Sequence, residues 1–353
     1  MTDDLEFTAR TVGNDVNRAT AEGILQQIES SAEVPRNFRR ISARSSKWGL
    51  PRSFIGYRVD PTIQTLGYAP KWVLKSDDDG PDYIVKLPYK GGLTETLTEL
   101  LINQLGSAYK FDMAHSGLAS MDGKPVFVTR SFLRPTEHLL HGSFLIEELF
   151  QATHGELDAV PKGRKEQEFY SVDFVIKTME AYCGNDAPVV INKFVEMVVF
   201  DALVGSTDRH AQNWGVIRSS TTQAGYQFSP IFDTSRGLFW NLTDDKILPF
   251  QQDATLLRNH IDRAFPVMGP ERKTLKSRKC HHFDFLRNLF AVFPHLRVTA
   301  VTKVPYNFGR TTASILNSFP FRGAFSKLRR DTILKLLLLR ADLVSQVLGE
   351  EGG

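Results

Sequence analysis

The chain has 353 residues, enough for two modest domains or one large two-lobed domain with a sizeable core. With 42% hydrophobic and 24% charged residues it has the composition of a globular protein, and its net charge of +3 is too small to indicate nucleic-acid binding. Its two cysteines cannot form a disulfide framework, its N-terminus lacks a signal-peptide pattern, and no apolar run reaches the length of a membrane span. We therefore expect a cytoplasmic protein without a membrane span.

The first 135 residues divide into a weakly patterned segment and a predicted β-rich lobe. Residues 1–60 are polar and their structure stays open, whereas short strands begin near Trp72, so the lobe is assigned to residues 61–135. The segments KWVLK and DYIVKLP flank a DDDG turn, and FDMAHSGLAS and PVFVTRSF flank MDGK, so each pair predicts a β-hairpin. Between the hairpins, a helix is predicted from about Thr94 to Leu105, with Gly106 ending it.

The pattern becomes helical in residues 136–353, which we predict to form a larger α-helical lobe. Apolar residues recur at helical spacing in SFLIEELFQATHG, FYSVDFVIKTMEAYCG, PVVINKFVEMVVFDALVG, FDFLRNLFAVF and RDTILKLLLLRADLVSQVL. Asp186 and Pro188 stand where an N-cap and a first-turn proline belong. The order of elements predicts an α+β protein with a small β-rich lobe before a helical one.

Three polar residues in this second lobe have a spacing suited to phosphoryl transfer. In GSTDRHAQNWGVI a buried helix is predicted to end at Gly205, and a polar loop then carries Asp208 and Asn213 before the strand-like WGVI. Downstream, SPIFDTSRGL places Asp233 after a predicted apolar strand. Phosphoryl transfer needs a carboxylate to accept the proton of the attacking hydroxyl, and it needs amide and carboxylate oxygens to hold Mg²⁺ against ATP. The spacing predicts Asp208 as the catalytic base and Asn213 and Asp233 as metal ligands.

The alternative interpretation is that these polar residues only form turns. The short Asp-x-x-x-x-Asn pattern alone favours that view, but the full string with Arg209, His210 and Trp214 favours a catalytic loop. Arg209 would either steer phosphates or pair with a carboxylate, and His210 is expected to brace the loop. The motif also resembles the Asp-Arg-x-x-x-Asn loop of phosphoinositide kinases.

The strings GSTDRHAQNWGVI and SPIFDTSRGL together resemble the kinase core of the HipA-like serine/threonine kinases, the toxin kinases of bacterial toxin–antitoxin modules. The sequence has Ser206 where that family often has asparagine, which leaves the catalytic positions untouched. The resemblance implies a protein-kinase-like two-lobed fold that uses ATP and Mg²⁺. It also implies a protein substrate, with a translation-related protein such as an aminoacyl-tRNA synthetase as an example, and a helix-turn-helix antitoxin as partner.

Further matches lie upstream and extend the resemblance to roughly residues 62–240. YIVKLP resembles the strand whose lysine contacts ATP, which would be Lys86, and the following helix resembles the one whose glutamate braces that lysine. Counting back from Gly106 favours Glu95 over Glu99 as the brace. The choice stays open, with the other glutamate expected on the surface.

The phosphate-covering loop is the least typical part of the match. TLGYAPKW resembles the family's Gly-x-x-x-Lys loop with Gly67 and Lys71, but the serine that relatives can autophosphorylate is missing. Thr65 is the candidate to replace it, with Thr62 as the alternative. Because one glycine makes a poor phosphate cradle, a pseudokinase that only binds remains an alternative to both the protein-kinase and the lipid-kinase hypotheses.

Overall fold

The computed structural model describes most of the chain outside its N-terminal segment. The described residues are 39–40, 54, 57–60, 71–76, 80–88, 92–121, 124–154, 170–220, 225–270, 280–301 and 308–350. Gly67, Thr65 and Thr62 lie outside these ranges, as do residues 77–79 of the first predicted turn and most of residues 1–60. Within the described ranges, no helix combines the length and apolar character that crossing a membrane requires.

Two compact units make up the chain. The sheet unit comprises Met1–Leu100, Ala114–Ser131 and Trp240–Leu242, and the helical unit comprises Leu101–Met113, Phe132–Phe239 and Thr243–Gly353. The order of a β-rich part before a helical part is as predicted. The domain boundaries at residues 60/61 and 135/136 stay a prediction.

The sheet unit contains one six-stranded sheet in the order β1-β5-β6-β4-β3-β2, and each neighbouring pair is antiparallel. Its strands are β1 (Arg39–Arg40), β2 (Tyr57–Val59), β3 (Lys71–Ser76), β4 (Tyr83–Lys86), β5 (Ser116–Met121) and β6 (Lys124–Arg130). Both predicted hairpins are confirmed, because β3 pairs with β4 and β5 pairs with β6.

Alternate residues of these strands build the core of the sheet unit. In a strand every second side chain points to the same face, so one face of the sheet collects apolar residues. The buried cluster is formed by Phe54, Trp72, Leu74, Tyr83, Val85, Leu87, Ala119, Val126 and Val128. The register also places Lys71 directly opposite Lys86.

Helix α1 (Gly92–Ala108) is longer at both ends than predicted. Gly106, which was expected to end it, lies inside the helix, so that prediction is wrong. A Cβ on Gly106 would lie 2.7 Å from Met113 Cγ and 3.0 Å from Phe200 Cζ. The glycine therefore permits close packing of the helix rather than terminating it.

The helical unit follows the predicted pattern in its long helices, which begin and end within three residues of the predicted segments. Its helices are α2 (Gly142–His154), α3 (Val172–Cys183), α4 (Ala187–Val204), α5 (Asp244–Gln252), α6 (Ala254–Asp262), α7 (His282–Val292), α8 (Arg297–Val301), α9 (Phe308–Leu316), α10 (Phe321–Ala324) and α11 (Lys327–Gly349). A three-stranded antiparallel sheet, in the order β7-β8-β9, lies in the same unit. Its strands are β7 (Glu137–His141), β8 (Gly215–Ser219) and β9 (Gln227–Phe228).

Helix α4 is the central helix of this unit and leads directly to the predicted catalytic loop. It packs against α3, α7, α8 and α11, and its buried residues lie on all sides of the helix. A helix apolar all round is typical of a position inside a core. Pro188 is in the first turn as predicted, but Asp186 makes no capping hydrogen bond with its side chain and instead accepts one from the Tyr226 backbone N–H.

Strand β8 confirms the strand predicted for WGVI, whereas the strand predicted before Asp233 is absent from the described structure. Ile231 forms an isolated parallel bridge with Met113, and the residues around it are not in a strand. Asp233 therefore follows a segment that forms a bridge at Ile231 instead of a strand.

Candidate active site

The catalytic loop begins where helix α4 ends, at Gly205. This residue has φ 68° and ψ 42°, the left-handed conformation that glycine adopts without steric cost, and its N–H donates to Asp201 O. The last carbonyls of a helix have no partners within the helix and need others. Here Asp201 O also accepts from Ser206 N at 2.9 Å, and Val204 O accepts from Leu238 N at 3.0 Å.

A third carbonyl at this helix end is satisfied by a buried arginine from α11. Arg340 is 1% exposed, its Nε donates to Ala202 O at 2.8 Å, and its guanidinium lies 5.1 Å from the centre of the Phe283 ring. Burial lowers the pKa of Arg340 to about 9, although the charge of Asp262 acts in the opposite direction. A cation at the C-terminus of a helix interacts favourably with the helix dipole, so Arg340 stabilises the end of α4.

His282 supports the same loop from α7. Its Nε2 lies 2.8 Å from Ser206 O, so the ring donates this hydrogen bond to the carbonyl. The imidazole is buried, and this burial, followed by the charge of Arg340, lowers its pKa well below the ordinary value. The neutral ring with the proton on Nε2 therefore holds Ser206 in place.

Arg209, directly after Asp208, is the organising centre of the loop. Its Nε and Nη2 donate to the two carboxylate oxygens of Asp201 at 2.8 and 3.0 Å. Its Nη1 donates to Asn213 O and to Phe232 O, both at 2.8 Å. Because Phe232 precedes Asp233, one guanidinium ties together both segments that carry the predicted metal ligands. Of the two open roles for Arg209, the structure shows the carboxylate pairing.

Arg209 keeps its positive charge although it is buried, because it is paired with Asp201. Burial opposes the charged form, but the charge and hydrogen bonds of Asp201 outweigh it and raise the pKa of Arg209 above its ordinary value. Tyr170 joins this network, since its hydroxyl donates to Arg209 O at 2.8 Å and accepts from Trp214 Nε1 at 2.8 Å. Trp214 thus anchors the far end of the loop.

The side chain of Asn213 folds back onto the loop that carries Asp208. Its Nδ2 donates to Asp208 O at 2.8 Å, and its backbone N–H donates to His210 O at 2.9 Å. His210 Nδ1 accepts from Gln212 N at 3.3 Å, a contact within the loop that this histidine is predicted to brace. These bonds fix the Asn213 amide and the Asp208 backbone relative to each other.

Asp233 lies in an irregular segment and has unusual backbone geometry. Its φ is 53°, in the left-handed region that aspartate tolerates better than most residues, and Leu238 has φ 52°. Strained backbone is common at functional sites, where the surrounding structure enforces it. The charge of Asp233 contributes to raising the pKa of Arg209, which indicates that the two side chains interact electrostatically.

The segment after Asp233 docks against the catalytic loop through its backbone. Thr207 N donates to Arg236 O at 3.0 Å, and a Cβ on Gly237 would lie 2.9 Å from Val204 O. This register brings the Arg236 guanidinium to Asp208, with Nη1 3.2 Å from Oδ1. Asp208 is therefore held by the backbone of its own loop and by an ion pair from the neighbouring segment.

The predicted ATP lysine belongs to the sheet unit and has a glutamate partner there. Lys86 Nζ lies 2.9 Å from Glu99 Oε2, and the two side chains are 9% and 3% exposed. The preference for Glu95 as the brace is therefore corrected to Glu99, one helical turn later. Glu95 is also buried, so the expectation that one of the two glutamates faces solvent is wrong.

Several residues of the site were not identified from sequence. Asp201 and Tyr170 hold Arg209 from positions outside the loop string, and Arg236 contacts Asp208 from the segment after Asp233. Asp201 offered a signal, because a carboxylate within the apolar run of α4 needs a buried partner. The predicted phosphate-covering loop lies mostly outside the described residues. Gly67 and Thr65 are not described, and Lys71 is the first residue of β3.

The donor set suits magnesium and ATP. Amide and carboxylate oxygens are hard ligands, and Mg²⁺ usually takes only one or two from the protein and the rest from phosphates and water. Asn213 and Asp233 provide such oxygens on two segments that Arg209 ties together. In the sheet unit, Lys71 on β3 stands opposite Lys86 on β4.

Comparison with known proteins identifies the family of this chain. A family model described as the HipA-like C-terminal domain matches residues 63–279, which is more than half of the chain. The chain belongs to this family. A stretch of 46 residues is 46% identical to the serine/threonine-protein kinase CtkA of Helicobacter pylori, but it spans only 13% of this chain and 14% of that protein.

Solved structures show the same fold. The crystal structure of the Helicobacter pylori proinflammatory kinase CtkA matches with a TM-score of 0.65 and 19% identity, covering 82% of this chain and 93% of that one. HipA from a Shewanella oneidensis toxin–antitoxin complex with HipB and operator DNA matches with a TM-score of 0.50 and 12% identity, covering 89% of this chain and 74% of that one. The predicted protein-kinase-like α+β fold is thereby confirmed, as is the resemblance to the HipA-like family.

Proposed function

We propose that this HipA-like protein is an ATP-dependent serine/threonine protein kinase. The observation that carries the proposal is the loop in which Asn213 is fixed onto the Asp208 backbone while Arg209 joins that loop to the segment bearing Asp233. A kinase needs a catalytic carboxylate and two metal-binding oxygens in fixed positions, because positioning and electrostatic stabilisation supply most of its catalysis.

In the proposed reaction, Asp208 orients the acceptor hydroxyl and accepts its proton. The hydroxyl oxygen forms a bond to the γ-phosphorus while the bond from that phosphorus to the β–γ bridging oxygen breaks, and ADP leaves with the electron pair. Asn213 and Asp233 would hold Mg²⁺, which neutralises charge on the phosphates. Lys86, held by Glu99, would neutralise the α- and β-phosphates as a point charge, with Lys71 beside it.

The first experiment measures transfer from labelled ATP with Mg²⁺. The protein is incubated alone, with cell extract and with phosphoinositide vesicles, beside Asp208→Ala. We expect labelled protein and unlabelled lipid, and a loss of about 10³-fold or more in the variant, because the proton acceptor is removed. Labelling of lipid alone would support the phosphoinositide-kinase alternative, and labelling of nothing would support a pseudokinase.

The second experiment separates metal binding from chemistry. Asp233→Asn is expected to weaken Mg²⁺-dependent ATP binding, measured by calorimetry with and without EDTA, because an amide replaces the charged metal ligand. Asp284→Asn is the matched control, since Asp284 is exposed and forms a surface ion pair with Arg287. Equal Mg²⁺-dependent affinity in both variants would contradict the metal role of Asp233.

The substrate and the regulatory step are proposed from the resemblance to the family. We propose a protein target, with translation-related proteins as the first class to test, and autophosphorylation at Thr65 as the candidate regulatory step. Mass spectrometry after incubation with ATP tests this step, and phosphate elsewhere in the chain but not on Thr65 would refute it.

HipA of Shewanella oneidensis is complexed with HipB and operator DNA, so we also propose a DNA-binding antitoxin as partner. Co-expression and co-purification with the product of a neighbouring helix-turn-helix gene tests that partner.

A further inference from the structure

The charge on the transferring phosphoryl group requires a nearby cation, and the catalytic loop has two basic residues of its own. Arg209 is unsuited to this task, because its side chain is 4% exposed and already donates to Asp201, Asn213 O and Phe232 O. His210 is also unsuited, because its Nδ1 accepts a hydrogen bond from Gln212 N and so carries no proton there. Neither residue offers a free cationic donor beside Asp208.

Arg236 differs from Arg209 in both exposure and contacts. Its Nη1 lies 3.2 Å from Asp208 Oδ1, and the two side chains are 27% and 28% exposed, so water and ligands reach this pair. Its backbone is fixed, since Arg236 O accepts from both the N–H and the hydroxyl of Thr207, the residue before Asp208. The backbone of Arg236 is therefore anchored, and its side chain is partly exposed beside Asp208.

We propose that Arg236 is a further catalytic cation of this enzyme. It orients the Asp208 carboxylate before transfer and donates to the oxygens of the transferring phosphoryl group during it. The inference rests on the proposed kinase function.

The chemistry of the step supports both roles. In the proposed reaction the acceptor hydroxyl would lie between Asp208 and the γ-phosphorus, so a cation in contact with that carboxylate would be close to the phosphoryl oxygens. A guanidinium has five donors in a planar fork, which lets it contact a carboxylate and a phosphoryl oxygen at once. As the acceptor proton passes to Asp208 and the bond to ADP breaks, negative charge on the carboxylate falls and Arg236 shifts toward the phosphoryl group.

The test uses a mimic of the transferring group and does not require a known protein substrate. Calorimetry measures the affinity of the full chain for Mg²⁺–ADP, first alone and then with aluminium fluoride, for wild type, Arg236→Met and Arg236→Lys. Arg310→Met is the control, because Arg310 is an exposed arginine on α9. We expect aluminium fluoride to tighten binding by about tenfold or more in wild type and control, as transition-state mimics do.

Arg236→Met is expected to keep its affinity for Mg²⁺–ADP but lose this tightening, and Arg236→Lys should recover part of it. With a protein acceptor, kcat of Arg236→Met should fall about 10²-fold with a KM for ATP close to that of wild type, as when one transition-state donor is removed. If aluminium fluoride tightens Mg²⁺–ADP binding in Arg236→Met as much as in wild type, the role of Arg236 is overturned and the proposed kinase function is not. An increased kcat in Arg236→Met also overturns this role and shows that the contact with Asp208 blocks the reaction. A wild-type protein that does not bind Mg²⁺–ADP overturns the proposed function itself.

Discussion

Two arginines near Asp208 illustrate what residue-scale detail adds. The sequence shows Arg209 beside Asp208 and Arg236 close to Asp233 but not which of them is buried. The structure gives Arg209 a carboxylate inside the core and leaves Arg236 half-exposed on Asp208. The two arginines, which belong to different segments, therefore suit different chemical tasks, since a buried paired charge organises the loop and a partly exposed one can meet a ligand.

The Arg209–Asp201 pair leads to a stability prediction. Asp201→Asn is expected to lower the free energy of unfolding by about 3–5 kcal/mol, because removing one partner leaves a buried charge uncompensated. The measurement is urea unfolding followed by circular dichroism. Asp284→Asn, which breaks an exposed ion pair, should change the free energy by about 1 kcal/mol or less. Equal losses in the two variants would show that the buried pair is not a special support of the loop.

The lysine brace leads to a prediction about ATP. Glu99→Gln is expected to raise the KM for ATP more than Glu95→Gln does, because Glu99 is the residue paired with Lys86 at 2.9 Å. Both glutamates are buried and lie on the same helix, so the two variants are well matched. The measurement is steady-state kinetics with varied ATP. A larger effect at Glu95 would restore the assignment that counting back from Gly106 favoured.

At the scale of elements, the end of helix α4 is the place where several distant segments meet. The sequence correctly indicated a buried helix ending at Gly205, because an apolar run with a following glycine is a strong signal. It did not indicate that the carbonyls of this end are shared between Leu238, Ser206 and Arg340, since those contacts come from distant parts of the chain. One helix end thus connects the catalytic loop, the segment after Asp233 and the C-terminal helix.

Two helix-ending glycines allow this junction to be tested. Gly205→Ala is expected to lower the free energy of unfolding by about 1–2 kcal/mol, because alanine disfavours positive φ, and to lower kcat, because the new Cβ lies 3.1 Å from Arg340 Cζ. Gly184, at the end of α3, also has a positive φ, but an added Cβ there meets nothing within 4 Å. Gly184→Ala should therefore lose stability and keep kcat. Equal kcat in both variants would show that the conformation of the α4 end does not affect catalysis.

The boundaries of helices and strands could be predicted from sequence where local signals determine them. They could not be predicted where packing against distant segments determines them. The long helices and both hairpins follow from periodicity and turn residues. Gly106 was misread because a glycine pressed against Met113 looks, in sequence, the same as one that ends a helix. The strand expected before Asp233 is replaced by a single bridge at Ile231, since a short apolar run does not determine whether a partner strand is available.

At the scale of the whole molecule, the buried neutral side chain of His282 makes the free energy of unfolding depend on pH. Burial, followed by the charge of Arg340, lowers the pKa of His282 well below its ordinary value. In the unfolded chain its pKa is about 6.5, so below that pH the unfolded state binds a proton that the folded state does not. The contribution of His282 to stability is therefore present above pH 6.5 and is lost as the pH falls toward the folded-state pKa.

The expected outcome is a change in slope. Below pH 6.5 the free energy of unfolding of wild type should fall by about 1.4 kcal/mol per pH unit from His282 alone. In His282→Gln this part of the slope should be absent, although the variant is less stable at pH 8 because the contact with Ser206 O is weakened. The measurement is urea unfolding between pH 5 and pH 8. Parallel pH curves for the two proteins would show that His282 does not titrate on unfolding.

The fold and the site differed in how far the sequence predicted them. The lobe order, the loop with Asp208 and Asn213, and the strand with Lys86 all rest on local patterns, and the described structure contains each element. The partners of these residues, namely Glu99, Asp201 and Arg236, depend on helix rotation and on which distant segments meet. The proposed reacting groups therefore rest on local sequence patterns, whereas the network of contacts around them required the three-dimensional structure.

Arg340 has a consequence for the time during synthesis at which the loop with Asp208 gains its full support. The loop with Asp208 is made 132 residues before this arginine, yet the end of α4 that supports the loop accepts a hydrogen bond from Arg340 Nε. A nascent chain that has passed the loop but not residue 340 carries every proposed catalytic residue without this support. The proposed phosphoryl transfer should consequently begin only after α11 has been translated and has packed.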